Sequence, residues 1–197
     1  MDETEAFDSL SDWECIRKVQ KGDVNAFEIL VHRHQKTIYN LVYRMLGGDS
    51  EKSAESAHEV FILAYRSIGQ FRGKSSFKTW IYRIAINHAK TARIALAKEK
   101  SMFNDPPGGS DYVPEVIDGT NPEKTLAKKE FWNHVQNALN RLSDEHCQII
   151  TLITIQGESY EDAAEILDIP LNTVKSRLSR AREALAKDCD SLLREWS

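Results

Sequence analysis

Apolar residues recur at Phe27, Leu30, Val31, Ile38, Leu41, Val42 and Met45, spacings that place them on one face of a long helix. Gly47-Gly48 predicts its end. Upstream, Ser11-Asp-Trp-Glu14 has the form of a capping box, which predicts a short helix to about Gln20, closed by Gly22. A third helix is predicted from about Ser50 to Ile68, and Gly69 to Ser75 reads as a break. The helix that follows carries Phe77, Trp80, Ile81, Ile84 and Ala85 on its buried side. The run Ile149 to Ile155 is rich in β-branched residues, but its start at Ser143-Asp-Glu predicts a buried helix. No stretch reads clearly as a strand, so the expected fold is all-α.

From Phe103 to Pro122 the pattern stops. This stretch holds four of the chain's five prolines and no basic residue, a composition that suits a linker. Its acids are Asp105, Asp111, Glu115 and Asp118, which leaves two readings open: a passive tether, or an anionic strand that occupies a nucleic-acid groove by charge mimicry. Asn121-Pro122-Glu123 restarts helix, with Asn as cap and Pro at the first helical position. The expected organisation is a helical domain over residues 1–100, a linker over 101–121 and a second small helical domain over 122–197.

In the second domain Ser159 and Asp162 form a capping-box-like start, and Ala163, Ala164 and Leu167 supply small and apolar packing. Asp168-Ile-Pro-Leu breaks that helix, and Asn172 or Thr173 is expected to cap the next. There Val174, Leu178, Ala181 and Leu185 fall on one face, and at about 100° per residue Ser176, Ser179 and Arg180 fall on the opposite side. Lys175, Arg177 and Arg182 flank the apolar stripe. This is a helix-turn-helix whose second helix presents a short, polar, cationic face suited to a major groove. Arg180 is placed to pair with a guanine edge and Ser176 to approach a base, while Lys175 and Arg182 are better placed for phosphates.

The chain's net charge is −4, but the charge is unevenly spread. From Ile62 to Lys98 there are eight Lys or Arg residues and no acid; from Ser143 to Asp168 there are seven acids and no Lys or Arg. Solubilising helix faces usually mix both signs, so two segregated basic surfaces suggest two contacts with a polyanion. The first basic segment, FRGKSSFKTWIYRIAINHAK from Phe71, interleaves rings with cations, which suits unstacked bases. Phe77, Trp80 and Ile84 read as core; Phe71, Lys74, Ser75, Lys78 and Asn87 read as functional. A loop containing Gly73 allows close approach of an extruded base.

Other chemistry is poorly supported. No apolar run nears the roughly 20 residues that span a bilayer, and the acidic N-terminus lacks the parts of a secretory signal, so a cytoplasmic location is expected. Cys15, Cys147 and Cys189 are scattered and suit reduced thiols. His32 and His34 point to different sides of a helix, His58-Glu59 does not open an HExxH motif, and His134 and His146 stand alone. Neither catalysis nor a cofactor or metal is expected.

The motifs KGD at Lys21 to Asp23, FRGKSSFKTWIYRIAIN at Phe71 to Asn87 and TVKSRLSRAREAL at Thr173 to Leu185 resemble an RNA polymerase sigma factor of the extracytoplasmic-function group, most like the proteobacterial envelope-stress factors. The resemblance covers nearly the whole chain. It implies a non-enzymatic, two-domain factor that binds core RNA polymerase at its clamp helices and flap, captures a base of the promoter −10 element and reads the −35 element. Carried over by motif, the −10 contacts fall on Phe71, Arg72, Gly73, Lys74, Ser75 and Ser76, with Lys78 and Asn87. The −35 contacts fall on Ser159, Tyr160, Thr173, Lys175 and Ser176, with Arg177, Ser179, Arg180 and Arg182. The clamp-binding helix carries Glu55, His58, Glu59 and Phe61, with His58 where the family has Gln, and Asn172 stands where the turn has Gly. The resemblance also implies an anti-sigma partner, often membrane-anchored, and a linker in the path of nascent RNA. The rivals are a helix-turn-helix regulator, which leaves the aromatic-basic segment unused, and a nucleic-acid-processing enzyme, which needs carboxylates that the acid-free segment lacks.

Overall fold

The computed structural model describes residues 10–103 and 122–195. Four helices form the first part: α1 (Asp12–Val19), α2 (Asn25–Met45), α3 (Ser50–Ser67) and, after a 3-10 turn at Ile68–Gln70, α4 (Phe77–Phe103). The second part holds α5 (Pro122–Arg141), α6 (Asp144–Ile150), a π turn at Thr151–Ile155, α7 (Tyr160–Leu167) and α8 (Leu171–Glu195). All the described elements are helical.

The capping box forms: Glu14 N donates to Ser11 Oγ at 3.3 Å and Ser11 N donates to Glu14 Oε2 at 2.8 Å. The run Ile149–Ile155 is helical and buried at its start, with its last turn widened so that Gln156 N reaches Thr151 O at 2.9 Å. Helix α4 continues through Phe103. One expectation is corrected. The recognition helix begins at Leu171, so neither Asn172 nor Thr173 caps it; the Pro170 carbonyl accepts from Thr173 N at 2.8 Å and Val174 N at 3.1 Å. The left-handed residue of the turn is Asp168 (φ 53°). Pro170 explains the shift: its fixed φ pre-sets the helix entry, and its carbonyl takes the first helical bonds. The linker, its acids and the Asn121 cap lie outside the described residues, as does the acidic N-terminus up to residue 9.

Helix α2 is the hub. Leu30, Ile38, Leu41 and Val42 are fully buried along it, and it packs against α1, α3 and α4. It also packs against α5, α6 and the π turn of the second part, so the two parts share one apolar core. The join is made at the carboxyl end of α2, where a helix leaves carbonyls without intrahelical partners. Gln136 Nε2 donates to Arg44 O at 3.1 Å, and Asn140 Nδ2 donates to Gly47 O at 3.1 Å. Cys147 Sγ lies 3.8 Å from the Arg44 carbonyl; burial pushes this thiol's pKa up, so it stays protonated and can donate. The Arg44 side chain is itself buried, donating to Gln136 Oε1 at 3.1 Å and lying 4.5 Å from the Trp132 ring centroid.

Gly48 makes this join possible. Its φ is +86°, its N–H closes the end of α2 on Tyr43 O at 3.0 Å, and a Cβ there would lie 2.9 Å from Gln136 Cγ. Gly48→Ala is expected to lower stability by about 1–3 kcal/mol through backbone strain and displacement of Gln136. Denaturant titration would measure this. In a Gln136→Ala background the same substitution is expected to cost less, because the clash is gone and only the strain remains.

Candidate nucleic-acid interface

The basic segment becomes a short loop on an aromatic base. The 3-10 turn ends at Phe71, and the loop runs to Ser76, whose Oγ accepts from Thr79 N at 3.0 Å and so caps α4. Helix α1 holds the loop's entrance: Gln20 Nε2 donates to Ile68 O at 2.8 Å and to Phe71 O at 3.0 Å. Phe71 is buried, with ring centroids 5.1 Å from Trp80 and 6.5 Å from Phe77. Phe71 therefore belongs to the core with Phe77, and only its backbone reaches the loop surface. Arg72, Gly73, Lys74 and Ser76 are exposed and Ser75 half-buried. Asn87 is exposed on the α4 surface seven residues beyond Trp80, about 10 Å along the axis.

Helix α1 is itself fastened to α2. Asp12 binds Arg33 at 2.5 Å and the His34 ring at 2.7 Å. The hydrogen bond from His34, and then that from Arg33, hold the Asp12 pKa below its ordinary 3.8 against the opposing effect of burial. Its folded pKa is depressed, so this stabilisation is present above the ordinary value and is lost as pH falls through the folded one.

Lys78 and Arg93 do not present free charge. Lys78 Nζ lies 2.5 Å from Glu158 Oε1, and Arg93 Nε lies 3.2 Å from Asp144 Oδ1. The acid-free segment thus spends part of its charge on the base-free segment Ser143–Asp168. Glu158 also faces the Tyr82 hydroxyl, whose pKa is raised by burial first and then by that carboxylate. The Glu158 side chain is 5% exposed and that of Lys78 is 44% exposed. Lys78→Met is therefore expected to destabilise by about 1–3 kcal/mol, because it strands a buried carboxylate. Glu158→Gln is expected to cost less, since Lys78 can turn to water. Paired urea titrations would separate the two, and equal losses would show that Glu158 is satisfied elsewhere.

The second surface is the helix-turn-helix. Ser159 caps α7, accepting from Asp162 N at 2.9 Å, and Tyr160 is half-buried beside it. Val174, Leu178 and Ala181 are buried, which turns Lys175, Ser176, Ser179, Arg180 and Arg182 to water. Thr173 is half-buried, and Arg177 is held away from this face, donating to Glu145 Oε1 at 3.0 Å. Among the described residues Lys175, Arg180 and Arg182 show no ion pair.

On α3, Glu55, His58 and Glu59 are exposed, but Phe61 is buried in the core and offers no surface. Leu63 and Tyr65, which sequence reasoning passed over, are 38% and 42% exposed there. Among the described residues no three His, Cys, Asp or Glu side chains group as metal ligands, and no helix is long and apolar enough to cross a membrane.

Two family models match these two regions: Sigma-70 region 2 over residues 30–98, and Sigma-70, region 4 over residues 133–185. The RNA polymerase sigma-H factor of Pseudomonas aeruginosa is 37% identical over 194 residues, covering 93% of this chain and 96% of that one. The ECF RNA polymerase sigma-E factor of Escherichia coli K12 is 36% identical over 195 residues, covering 95% and 98%. The fold is also that of CnrH, solved with the cytosolic domain of CnrY (TM-score 0.64, 20% identity, 90% of this chain and 96% of that one). It is likewise that of the sigma factor RpoE, solved with the anti-sigma factor NepR from Bartonella quintana (TM-score 0.65, 23% identity, 83% and 96%). The chain belongs to the sigma-70 family of RNA polymerase factors. Within it, the chain is an extracytoplasmic-function factor, similar to the proteobacterial envelope-stress sigma factors.

Proposed function

We propose that this protein binds core RNA polymerase and directs it to promoters, capturing an unpaired base of the −10 element at the Arg72–Ser76 loop and reading the −35 element with α8. The observation that carries the reading is the presence, on one chain, of two exposed cationic surfaces with different chemistry. One is an exposed loop in which Arg72 and Lys74 flank Gly73, which leaves room for the close approach of an unpaired base. The other is a flat helical face of Lys175, Ser176, Ser179, Arg180 and Arg182, which suits a duplex groove.

The division of labour follows the exposure of the side chains. Arg72, Lys74, Ser75, Ser76 and Asn87 serve the −10 strand; Phe71 supports them from below. Lys78 reaches DNA only after leaving Glu158, so it ranks behind Arg72 and Lys74. Arg180 supplies the base contact upstream, with Lys175 and Arg182 on phosphates. Region 2 then occupies residues 1–100, the linker 101–121 and region 4 residues 122–197. Glu55, His58 and Glu59 on α3 meet the polymerase clamp helices, and region 4 meets the flap. The protein acts in the cytoplasm in a stress response, held in check by an anti-sigma factor; RpoE is solved with the anti-sigma factor NepR.

Run-off transcription with core polymerase from the same source, over a promoter library, tests this. Specific starts that depend on the protein are the expected result. Tight duplex binding by the pure protein with no transcription would overturn it in favour of a stand-alone regulator. Arg180→Ala is expected to weaken discrimination at the upstream element by about 1–3 kcal/mol. Asn87→Ala is expected to impair opening or −10 selection and leave upstream discrimination intact. Equal loss of both functions in both variants would refute the division of labour.

A further inference from the structure

Base capture needs an accessible aromatic face, and the rings inside the basic segment do not supply one. Phe71 and Phe77 are 7% and 3% exposed, and Trp80 is half-buried against both, with ring centroids at 5.1 and 5.7 Å. A ring that meets the requirement comes from another helix. Trp13 on α1 is 45% exposed. Its six-membered ring lies directly over Gly73 of the loop: a Cβ on Gly73 would sit 2.7 Å from Trp13 Cζ3 and 2.9 Å from Cη2. Gly73 has φ +68°, so both the backbone and the space under the indole demand glycine there.

Trp13 is not placed by burial. The buried residues of α1 are Cys15, Ile16 and Val19, and Trp13 stands off that stripe. Yet the ring has a neighbour in the core, its centroid lying 6.2 Å from that of Phe71, and its helix is tied at both ends. Asp12 ties the start of α1 to Arg33 and His34, and Gln20 at its far end bonds the carbonyls of Ile68 and Phe71 where the loop begins. One helix therefore fixes both the loop and the ring above it. Arg72 and Lys74 flank Gly73 and are exposed, as phosphate contacts require.

We propose that Trp13 is the stacking platform of this site: the base drawn into the loop lies on the indole, while Arg72 and Lys74 meet its flanking phosphates. The inference rests on the promoter-opening function above and adds a residue outside both family matches, the first of which begins at residue 30.

The test uses full-length protein with its core polymerase, a single-stranded oligonucleotide of the selected −10 sequence, and the same strand with an abasic site moved along it. Trp13→Ala is expected to bind the intact strand roughly 5- to 100-fold more weakly, and Trp13→Phe to keep most of the affinity. With the abasic site at the captured position, wild type and Trp13→Ala are expected to bind alike. Equal weakening on intact and abasic strands would overturn the proposal, because Trp13 would then only prop the loop. So would an unchanged affinity for the intact strand. A wild-type holoenzyme that starts no transcription in the library assay would fail the promoter function itself, and this inference with it.

Discussion

A buried arginine must find its partners inside the protein, and Arg44 finds a hydrogen-bond acceptor and an aromatic face in the other half of the chain. It lies at the carboxyl end of α2, where the backbone also has carbonyls to spare. Gln136 serves both needs at once, accepting from the guanidinium and donating to the Arg44 carbonyl. The Cys147 thiol shares the Arg44 carbonyl with Gln136, Asn140 serves the Gly47 carbonyl, and Trp132 covers the cation. Leaving these groups unmet in an apolar setting would cost several times what each bond contributes when made. The join therefore specifies geometry: it sets where α5 and α6 sit on α2, and through them the acidic segment that faces α4.

That placement shapes the charge available for nucleic acid. The acid-free and base-free segments lie far apart in sequence but meet at Lys78–Glu158 and Arg93–Asp144. What remains free on the first surface is the loop, where Arg72 and Lys74 stand clear of any described ion pair. On the second surface the same economy appears: Arg177 is drawn aside by Glu145, and Lys175, Arg180 and Arg182 stay free. The electrostatic footprint on each surface is thus smaller and better defined than the runs of Lys and Arg suggest.

Much of the fold was legible because its signals are local. Capping boxes, paired glycines and apolar spacing place the helices to within a few residues, and the inward face of α8 follows from the positions of Val174, Leu178 and Ala181. Local signal and structure part where the signal competes with a neighbour. Asn172 is a good cap in isolation, but Pro170 opens the helix first. Phe71 and Phe61 look like exposed aromatic contacts beside charged residues, yet a 3-10 turn and the packing of α3 rotate them into the core. Trp13 carried no warning beyond an aromatic ring inside a polar capping box.

The sequence by itself determined the all-helical class, the two kinds of basic surface and the family, because periodicity and motif spacing survive in one dimension. It also marked Gly73 as a place of close approach. Only the tertiary structure decided what approaches it, which cations are already paired, and that the two halves share one core. Those are contacts between residues tens of positions apart, and no local rule of propensity or charge carries their geometry.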